Sequence, residues 1–187
     1  MNILVIGDSW SSAVRSTPTG DVDHQGWPQI WGLPPQYCQG VSGSTAVEWS
    51  QNFSNKLAVA IETPADVLIV SLLGNDFIGA AKGDILTPTL SASDIAHYRA
   101  VIEVLKKPRT IVIKYADPFG GANKIVKELL PIVNSGIDTA VQGLSGVEIL
   151  DTSTFLTSAC FTGSMHPNLE GGILIMKALK NLLDIQK

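Results

Sequence analysis

The chain has 187 residues and a formal net charge of −4 at pH 7, with 45% hydrophobic and 16% charged residues. This length and composition indicate one globular domain, residues 1–187, and exclude a disordered chain. The acidic balance disfavours a nucleic acid partner, which usually requires a basic face. No apolar run approaches the ~20 residues that span a bilayer, and no basic segment of a secretory signal opens the chain. We therefore expect a cytoplasmic or otherwise soluble protein without a membrane partner.

The predicted elements alternate between strands and helices along the chain. Apolar runs rich in Val, Ile and Leu predict strands at residues 2–6, 67–72, 110–114 and 147–150, with a weaker one near 37–41. A short helix is expected to begin at Ser9, and apolar residues at helical spacing predict longer helices at 45–61, 95–105, 122–133 and 169–183. Ser93 and Asp94 are the predicted N-cap of the 95–105 helix, and the 122–133 helix is expected to kink or to break and restart at Pro131.

This alternation predicts the fold. Continuous apolar strands that alternate with helices are typical of a parallel sheet covered on both faces, and right-handed crossovers leave few ways to connect them. We predict an α/β fold, specifically a flavodoxin-like three-layer α/β/α sandwich with a parallel sheet of about five strands. Two long loops, residues 11–35 and 76–91, should lie over the same edge of the sheet as Ser9 and should set specificity.

Ser9 is the first residue that could carry chemistry. The opening strand runs directly into Gly7-Asp8-Ser9, which places Ser9 at the carboxyl end of a buried strand. Open α/β sheets have their ligand sites at that edge. A serine hydroxyl becomes an effective nucleophile when a neighbouring base takes its proton. Ser9 is therefore a candidate nucleophile, with helix capping as its alternative role, and Asp8 is expected to hold the turn together.

Three further residues are suited to assist a nucleophile at this edge. His166 is followed by Pro167, which restricts its backbone to extended forms and keeps it in the loop before the last predicted helix. A neutral imidazole accepts a serine proton near neutral pH. Gly43 offers a backbone N–H and Asn75 a side-chain amide, which are donors that a tetrahedral oxyanion needs. Taken singly, each also has an ordinary interpretation, as a surface histidine or a turn residue.

Together these segments resemble the conserved blocks of the SGNH (GDSL) hydrolases, a family of serine esterases. Gly7-Asp8-Ser9 is similar to the block with the nucleophile, Gly43 and Gly74-Asn75-Asp76 to the two oxyanion blocks, and His166-Pro167-Asn168 to the block with the base. Gly26-Trp27-Pro28 looks like the segment that commonly follows the first block. The resemblance implies a flavodoxin-like fold, hydrolysis of esters or thioesters through an oxyanion hole formed by Ser9, Gly43 and Asn75, and no metal or organic cofactor.

The chain departs from the family pattern three residues before the histidine. The family has an acidic residue there that orients the imidazole, whereas this sequence has Gly163. A backbone carbonyl near Thr162 or Gly163 could accept from the ring and leave a working dyad, which is the interpretation we favour. A carboxylate from elsewhere, with Asp151 the nearest in sequence, could substitute. Alternatively, the protein could have kept the pocket for binding alone.

The remaining candidates concern the substrate. Trp10, Trp27 and Asp76 are the predicted substrate-binding residues, and Trp31 and Trp49 lie in the same quarter of the chain. Tryptophan rings stack well on sugars, although they also fill cores. We predict hydrolysis of short acyl esters, with acetyl groups on a glycan favoured, and a non-catalytic carbohydrate-binding domain as the alternative. Neither the nucleophile motif of the α/β hydrolases nor a glycine-rich phosphate-binding motif occurs in the sequence.

Overall fold

Four parallel strands form the central sheet of the computed structural model. The structure describes residues 1–12, 14–16, 22–52, 54–81, 90–105, 107–161 and 165–185. The strands, in chain order, are β1 (Ile3–Gly7), β2 (Val14–Ser16), β3 (Val22–Gln25), β4 (Val67–Ser71), β5 (Arg109–Lys114) and β6 (Val147–Asp151). The helices are α1 (Trp27–Trp31), α2 (Ser54–Glu62), α3 (Gly74–Ala81), α4 (Ala92–Leu105), α5 (Lys124–Val141) and α6 (Leu169–Leu182).

The strand order in the sheet is β1-β4-β5-β6, and every pairing is parallel. In this register Val5 pairs with Ile69, which in turn pairs with Ile111. All five positions of β1 and of β4 are buried, as expected for strands covered on both faces. Helix α1 packs on α6, whereas α4 packs on α2 and α5, so the helices form two groups. The predicted α/β fold with a parallel sheet is confirmed.

The predicted strand count is too high by one among the described residues. The weak strand expected near residues 37–41 is reduced to a single parallel bridge between Val5 and Cys38. Its chain still runs beside β1, because the Gln39 N–H donates to the Val5 carbonyl and the Val41 N–H to the Gly7 carbonyl, both at 2.8 Å. A helical turn over Pro35–Tyr37 directly precedes this segment and leaves too few extended residues for a strand.

Both long loops contain regular structure that the sequence did not predict. The first contains an antiparallel hairpin of β2 and β3, followed by α1. The second begins with α3, and its residues 82–89 lie outside the described residues. The helix expected to begin at Ser9 is not formed; the Ser11 N–H instead donates to the Asp8 carbonyl at 3.1 Å and closes a tight turn.

Side-chain caps set the starts of the last three helices. The Ser91 hydroxyl accepts from the Asp94 N–H while the Asp94 carboxylate accepts from the Ser91 N–H, a reciprocal pair that starts α4 earlier than predicted. The Asn123 side chain caps α5, which continues through the predicted break at Pro131, and the Asn168 side chain caps α6. Among the described residues, no helix is long and apolar enough to cross a membrane.

Candidate active site

Ser9 lies in a tight turn at the carboxyl end of β1. Gly7, the last residue of β1, has φ +131°, and a Cβ there would lie 2.0 Å from the Ser71 carbonyl oxygen of β4. Glycine therefore lets the two strand ends approach closely. The Asp8 N–H donates to that same carbonyl at 2.8 Å, which ties the turn to β4. Ser9 is only 7% exposed and lines the cavity beside this turn.

Asp8 is the buried anchor of this turn. Its carboxylate accepts from the Trp10 N–H at 2.9 Å, from the Ser71 hydroxyl at 3.0 Å and from the Tyr115 hydroxyl at 2.5 Å. Burial raises the pKa of Asp8 from 3.8 to about 6, against the opposing effect of these three donors. Burial and the nearby Asp8 charge raise the pKa of Tyr115 well above 10, so its hydroxyl keeps the proton it donates. Asp8 thus joins β1, β4 and the end of β5 directly beneath Ser9.

His166 reaches Ser9 from the loop before α6. Its Nε2 lies 2.8 Å from the Ser9 Oγ, a hydrogen-bonding distance. The loop is held on both sides: the Trp10 indole N–H donates to the Met165 carbonyl at 3.0 Å, and the Asn168 N–H donates to the Cys160 carbonyl at 2.8 Å. With the ring proton on Nδ1, Nε2 is the acceptor that a serine nucleophile needs.

The orienting group of the imidazole was expected near Gly163, which lies outside the described residues. Asp151, the carboxylate considered as a substitute, is placed at the end of β6. Its Oδ1 accepts from the Ser153 N–H at 3.0 Å and from the Ser153 hydroxyl at 2.6 Å, which caps the short helical turn that follows. Asp151 is not among the residues that line the cavity beside Ser9.

The two predicted oxyanion residues flank the same turn. Gly43 has φ +81° and open space where a side chain would be. Ser44 ties its loop to β1, since the Ser44 hydroxyl donates to the Gly7 carbonyl at 3.0 Å. Asn75, in the first turn of α3, donates one amide proton to the Ser44 carbonyl at 3.0 Å, which leaves its second amide proton for another acceptor. Neither the Ser9 N–H nor the Gly43 N–H donates to any described residue.

A cavity of about 260 Å³ brings these groups together. Ser9, Gly43, Asn75 and His166 all line it, as does Trp10, the first of the predicted substrate-binding residues. The cavity therefore brings the candidate nucleophile, the candidate base and the candidate oxyanion donors around one space. Within the described chain, no cluster of three or more His, Cys, Asp or Glu side chains is arranged to hold a metal ion.

The structure does not bring the other two predicted substrate-binding residues to the cavity wall. Trp27 is fully buried, and its indole N–H donates to the Trp10 carbonyl at 2.7 Å, beneath the turn. The Asp76 carboxylate accepts from the Ala46 N–H at 2.9 Å, so it holds the start of the helical segment after Ser44. Trp49 is also fully buried and donates to the Ser44 hydroxyl. Trp27, Asp76 and Trp49 thus hold segments next to the site through hydrogen bonds.

Sequence reasoning missed two parts of this site. Tyr115 directly follows β5, so its position after a predicted strand was a usable signal for the same sheet edge. The second part is an apolar wall in which α5 takes part, with lining residues Val126, Leu129, Leu130 and Val133. Their helical spacing indicates a buried stripe, but it does not distinguish a core from a cavity. Residues 11, 12 and 26–35 of the first long loop are not among the lining residues.

Comparison with solved structures finds this fold in two hydrolases. Axe2, an acetylxylan esterase from Geobacillus stearothermophilus, superposes with a TM-score of 0.68 at 14% identity, over 99% of this chain and 94% of that one. LAE5, an alpha/beta hydrolase from the metagenome of Lake Arreo, superposes with a TM-score of 0.67 at 13% identity, over 96% of this chain and 93% of that one. No family model matches the sequence, and no curated protein matches it either.

Variants of Axe2 are relevant to Gly163, which stands where the family has an acidic residue. Those described as catalytic mutants replace a serine, an aspartate or a histidine by alanine, and the aspartate stands three positions before the histidine. This chain has Gly163 at the equivalent distance before His166. Axe2 belongs to the SGNH hydrolases, and the likeness extends over nearly the full length of both chains. This chain therefore has the fold of the SGNH hydrolases.

Proposed function

We propose that the protein is a serine esterase that hydrolyses acyl esters through an acyl-enzyme, with Ser9 as nucleophile and His166 as base. One observation carries this proposal: the Nε2 of His166 lies 2.8 Å from the Ser9 Oγ, in a cavity that Gly43 and Asn75 also line. A nucleophile within hydrogen-bonding distance of a base is the signature of an activated serine. The shared fold of esterases such as Axe2 supports the same reading.

The first half of the reaction follows from this geometry. The Ser9 Oγ attacks the acyl carbonyl carbon while His166 Nε2 takes the hydroxyl proton. The carbonyl oxygen becomes an oxyanion, which the Ser9 N–H, the Gly43 N–H and the second Asn75 amide proton stabilise. His166 then gives its proton to the alcohol oxygen as the C–O bond breaks. The alcohol leaves, and the acyl group stays esterified to Ser9.

The second half repeats these roles with water. His166 Nε2 takes a proton from a water molecule, whose oxygen attacks the acyl carbonyl carbon. The same donors hold the second oxyanion, and His166 returns the proton to the Ser9 Oγ as the acyl-enzyme bond breaks. The carboxylic acid product then leaves the cavity, and the enzyme is restored.

The proposed machinery is a serine–histidine dyad, because glycine at position 163 supplies no carboxylate. In a serine protease triad, loss of the acid with the wrong tautomer fixed lowers kcat about 10⁴-fold. A backbone carbonyl near residues 162–163 would keep the working tautomer of His166. We therefore propose a smaller penalty than the protease value.

An esterase accounts for the site better than a carbohydrate-binding domain does. Sugar binding by stacking needs exposed aromatic faces, yet Trp27 and Trp49 are fully buried and Trp10 is 5% exposed. An acylated glycan remains within the proposed substrate range, since Axe2 is an acetylxylan esterase and one of its variants is described as an acetyl-xylooligosaccharide esterase. In that case the sugar would be the leaving alcohol.

Hydrolysis of p-nitrophenyl acetate and p-nitrophenyl butyrate tests the proposal. The wild-type protein should release p-nitrophenol, and Ser9→Ala should reduce the rate to that of buffer. Equal thermal unfolding of the two proteins would show that the loss is chemical. The esterase proposal would be wrong if the folded wild-type protein were no more active than Ser9→Ala from neutral to alkaline pH.

A further inference from the structure

We propose that the cavity beside Ser9 is an acyl pocket for an unbranched aliphatic chain of about six carbons, so that the preferred substrates are medium-chain rather than acetyl esters. The proposal rests on the esterase function above and specifies its substrate. It depends on the composition of the cavity wall, on the cavity volume and on the position of His166 relative to the surface.

The wall away from the polar groups is hydrocarbon. Three structural segments supply it, with Phe77 from α3, Ala116 from the loop after β5, and Val126, Leu129, Leu130 and Val133 from α5. Val126, Leu129 and Leu130 are only partly covered by the protein itself. None of the described lining residues is lysine or arginine. Such a wall has no partner for sugar hydroxyls or phosphates, and it binds an apolar group that covers it.

The volume matches a chain of intermediate length. The cavity measures about 260 Å³, whereas an engineered apolar cavity of about 150 Å³ holds benzene, a molecule of six carbons. The additional volume accommodates the carbonyl group and part of the alcohol. Each methylene that leaves water for this wall should contribute about fourfold in kcat/KM, or about 0.8 kcal/mol.

The position of His166 assigns the wall to the acyl side. Since His166 Nε2 returns the proton to the alcohol oxygen, the alcohol must lie beside the imidazole. The neighbouring Met165 is 39% exposed, so that side of the site opens to solvent. The alcohol therefore leaves past His166, and the acyl chain extends toward the wall that α5 helps to form.

A chain-length series tests the proposal with wild-type protein. The kcat/KM values for p-nitrophenyl acetate, butyrate, hexanoate and octanoate are measured and corrected for their rates of hydroxide hydrolysis. We expect kcat/KM to rise at least tenfold from acetate to hexanoate, against about 200-fold for complete transfer of four methylenes. A parallel series of acetates with ethyl, butyl and hexyl alcohols should vary much less.

Neighbouring residues of α5 offer a matched pair of variants. Val126 lines the cavity, whereas Ile125 is 65% exposed and does not line it. Val126→Trp should lower kcat/KM for hexanoate at least tenfold. The factor by which it lowers kcat/KM for acetate should be at least five times smaller than the factor for hexanoate. Ile125→Trp should change neither. Leu129→Gln is a second variant, which should lower the hexanoate-to-acetate ratio by making the wall polar without filling it.

The outcomes separate this proposal from the proposed function. If Ser9 hydrolyses p-nitrophenyl acetate but kcat/KM is no higher for the hexanoate, the acyl-pocket proposal is wrong and the esterase proposal is unaffected. A gain with longer alcohols instead of longer acyl chains would also overturn it, because the wall would then bind the leaving group. Equal losses in Val126→Trp and Ile125→Trp would contradict the assigned wall. Absence of hydrolysis at every chain length would overturn the esterase itself.

Discussion

Replacing Asp8 by asparagine should remove a pH dependence of stability that the buried carboxylate creates. Asp8 is 2% exposed, and its pKa is raised from 3.8 to about 6, chiefly by burial. Between these two values the folded protein binds a proton that the unfolded chain has already released. The free energy of unfolding therefore falls as pH rises through this window. Stability from this group is fully present below pH 3.8 and is lost by the time pH has risen past about 6.

The size of the effect follows from the two pKa values. A difference between 3.8 and about 6 corresponds to about 3 kcal/mol. At pH 4 the unfolded chain has already released part of this proton, so the free energy of unfolding of Asp8→Asn, minus that of the wild type, should become more positive by about 2 kcal/mol between pH 4 and pH 7. Loss of acceptor capacity for Ser71 and Tyr115 shifts this difference by a constant amount, but it does not change the sign of the slope.

Urea denaturation at several pH values between 4 and 7, followed by tryptophan fluorescence, measures this difference. Asp138→Asn is the matched control, because it also removes one carboxylate but at a side chain that is 50% exposed. A stability difference between wild type and Asp8→Asn that stays constant with pH, or that moves in the opposite direction, would refute the account of Asp8. The same would follow if Asp138→Asn gave an equal slope.

Three further substitutions test individual parts of the site. Asn75→Ala should lower kcat for p-nitrophenyl ester hydrolysis by about 10²–10³ with little change in KM, as for loss of an oxyanion donor, and a pure rise in KM would contradict that role. Gly7→Ala should reduce the free energy of unfolding by more than about 2 kcal/mol beyond Gly32→Ala, because only Gly7 would place its Cβ against a backbone oxygen while both have positive φ. Asp76→Ala should lower the free energy of unfolding, measured by urea denaturation, by about 1–2 kcal/mol, because it removes the acceptor of the Ala46 N–H. An unchanged free energy of unfolding with a raised KM would instead show that Asp76 contacts the substrate.

Local signals in the sequence were sufficient to predict where Ser9 and His166 lie. A buried apolar strand that stops at Gly7 places Ser9 at the carboxyl edge of a parallel sheet, whichever strands lie beside it. His166-Pro167-Asn168 combines an extended backbone with a helix cap, and Asn168 does cap α6. These features depend on a few neighbouring residues, so they can be deduced without knowledge of the tertiary structure.

The roles of Trp27 and Asp76 could not be deduced in the same way. Asp76 follows Asn75 directly, but in the first turn of α3 successive side chains point about 100° apart. Asn75 therefore lines the cavity while Asp76 turns toward Ala46. Trp10 and Trp27 are both buried, and tertiary packing decides that only Trp10 lines the cavity. Trp27 lies beneath the turn, where its indole N–H donates to the Trp10 carbonyl.

The apolar wall to which α5 contributes was even harder to predict from the sequence, because it depends on tertiary structure. Residues Val126 to Val133 have a spacing that any helix packed on a sheet would show. Their position beside Ser9 results from the order of the strands, which puts β5 and the loop that follows it next to β4. The sequence also could not show whether residues 37–41 form a strand. The segment makes two backbone hydrogen bonds to β1, from Gln39 and Val41, and such pairing is decided by tertiary structure.

Covalent labelling with a fluorophosphonate ester tests the central claim most directly, since the reagent phosphonylates an activated serine hydroxyl. Mass spectrometry of the tryptic peptide 1–15 locates the label, and Ser11 and Ser12 in the same peptide are internal controls. We predict labelling of Ser9 in the wild-type protein, none in Ser9→Ala, and a strongly reduced rate in His166→Ala. Folded wild-type protein that stays unlabelled at Ser9, or that labels no faster than His166→Ala, would contradict the account.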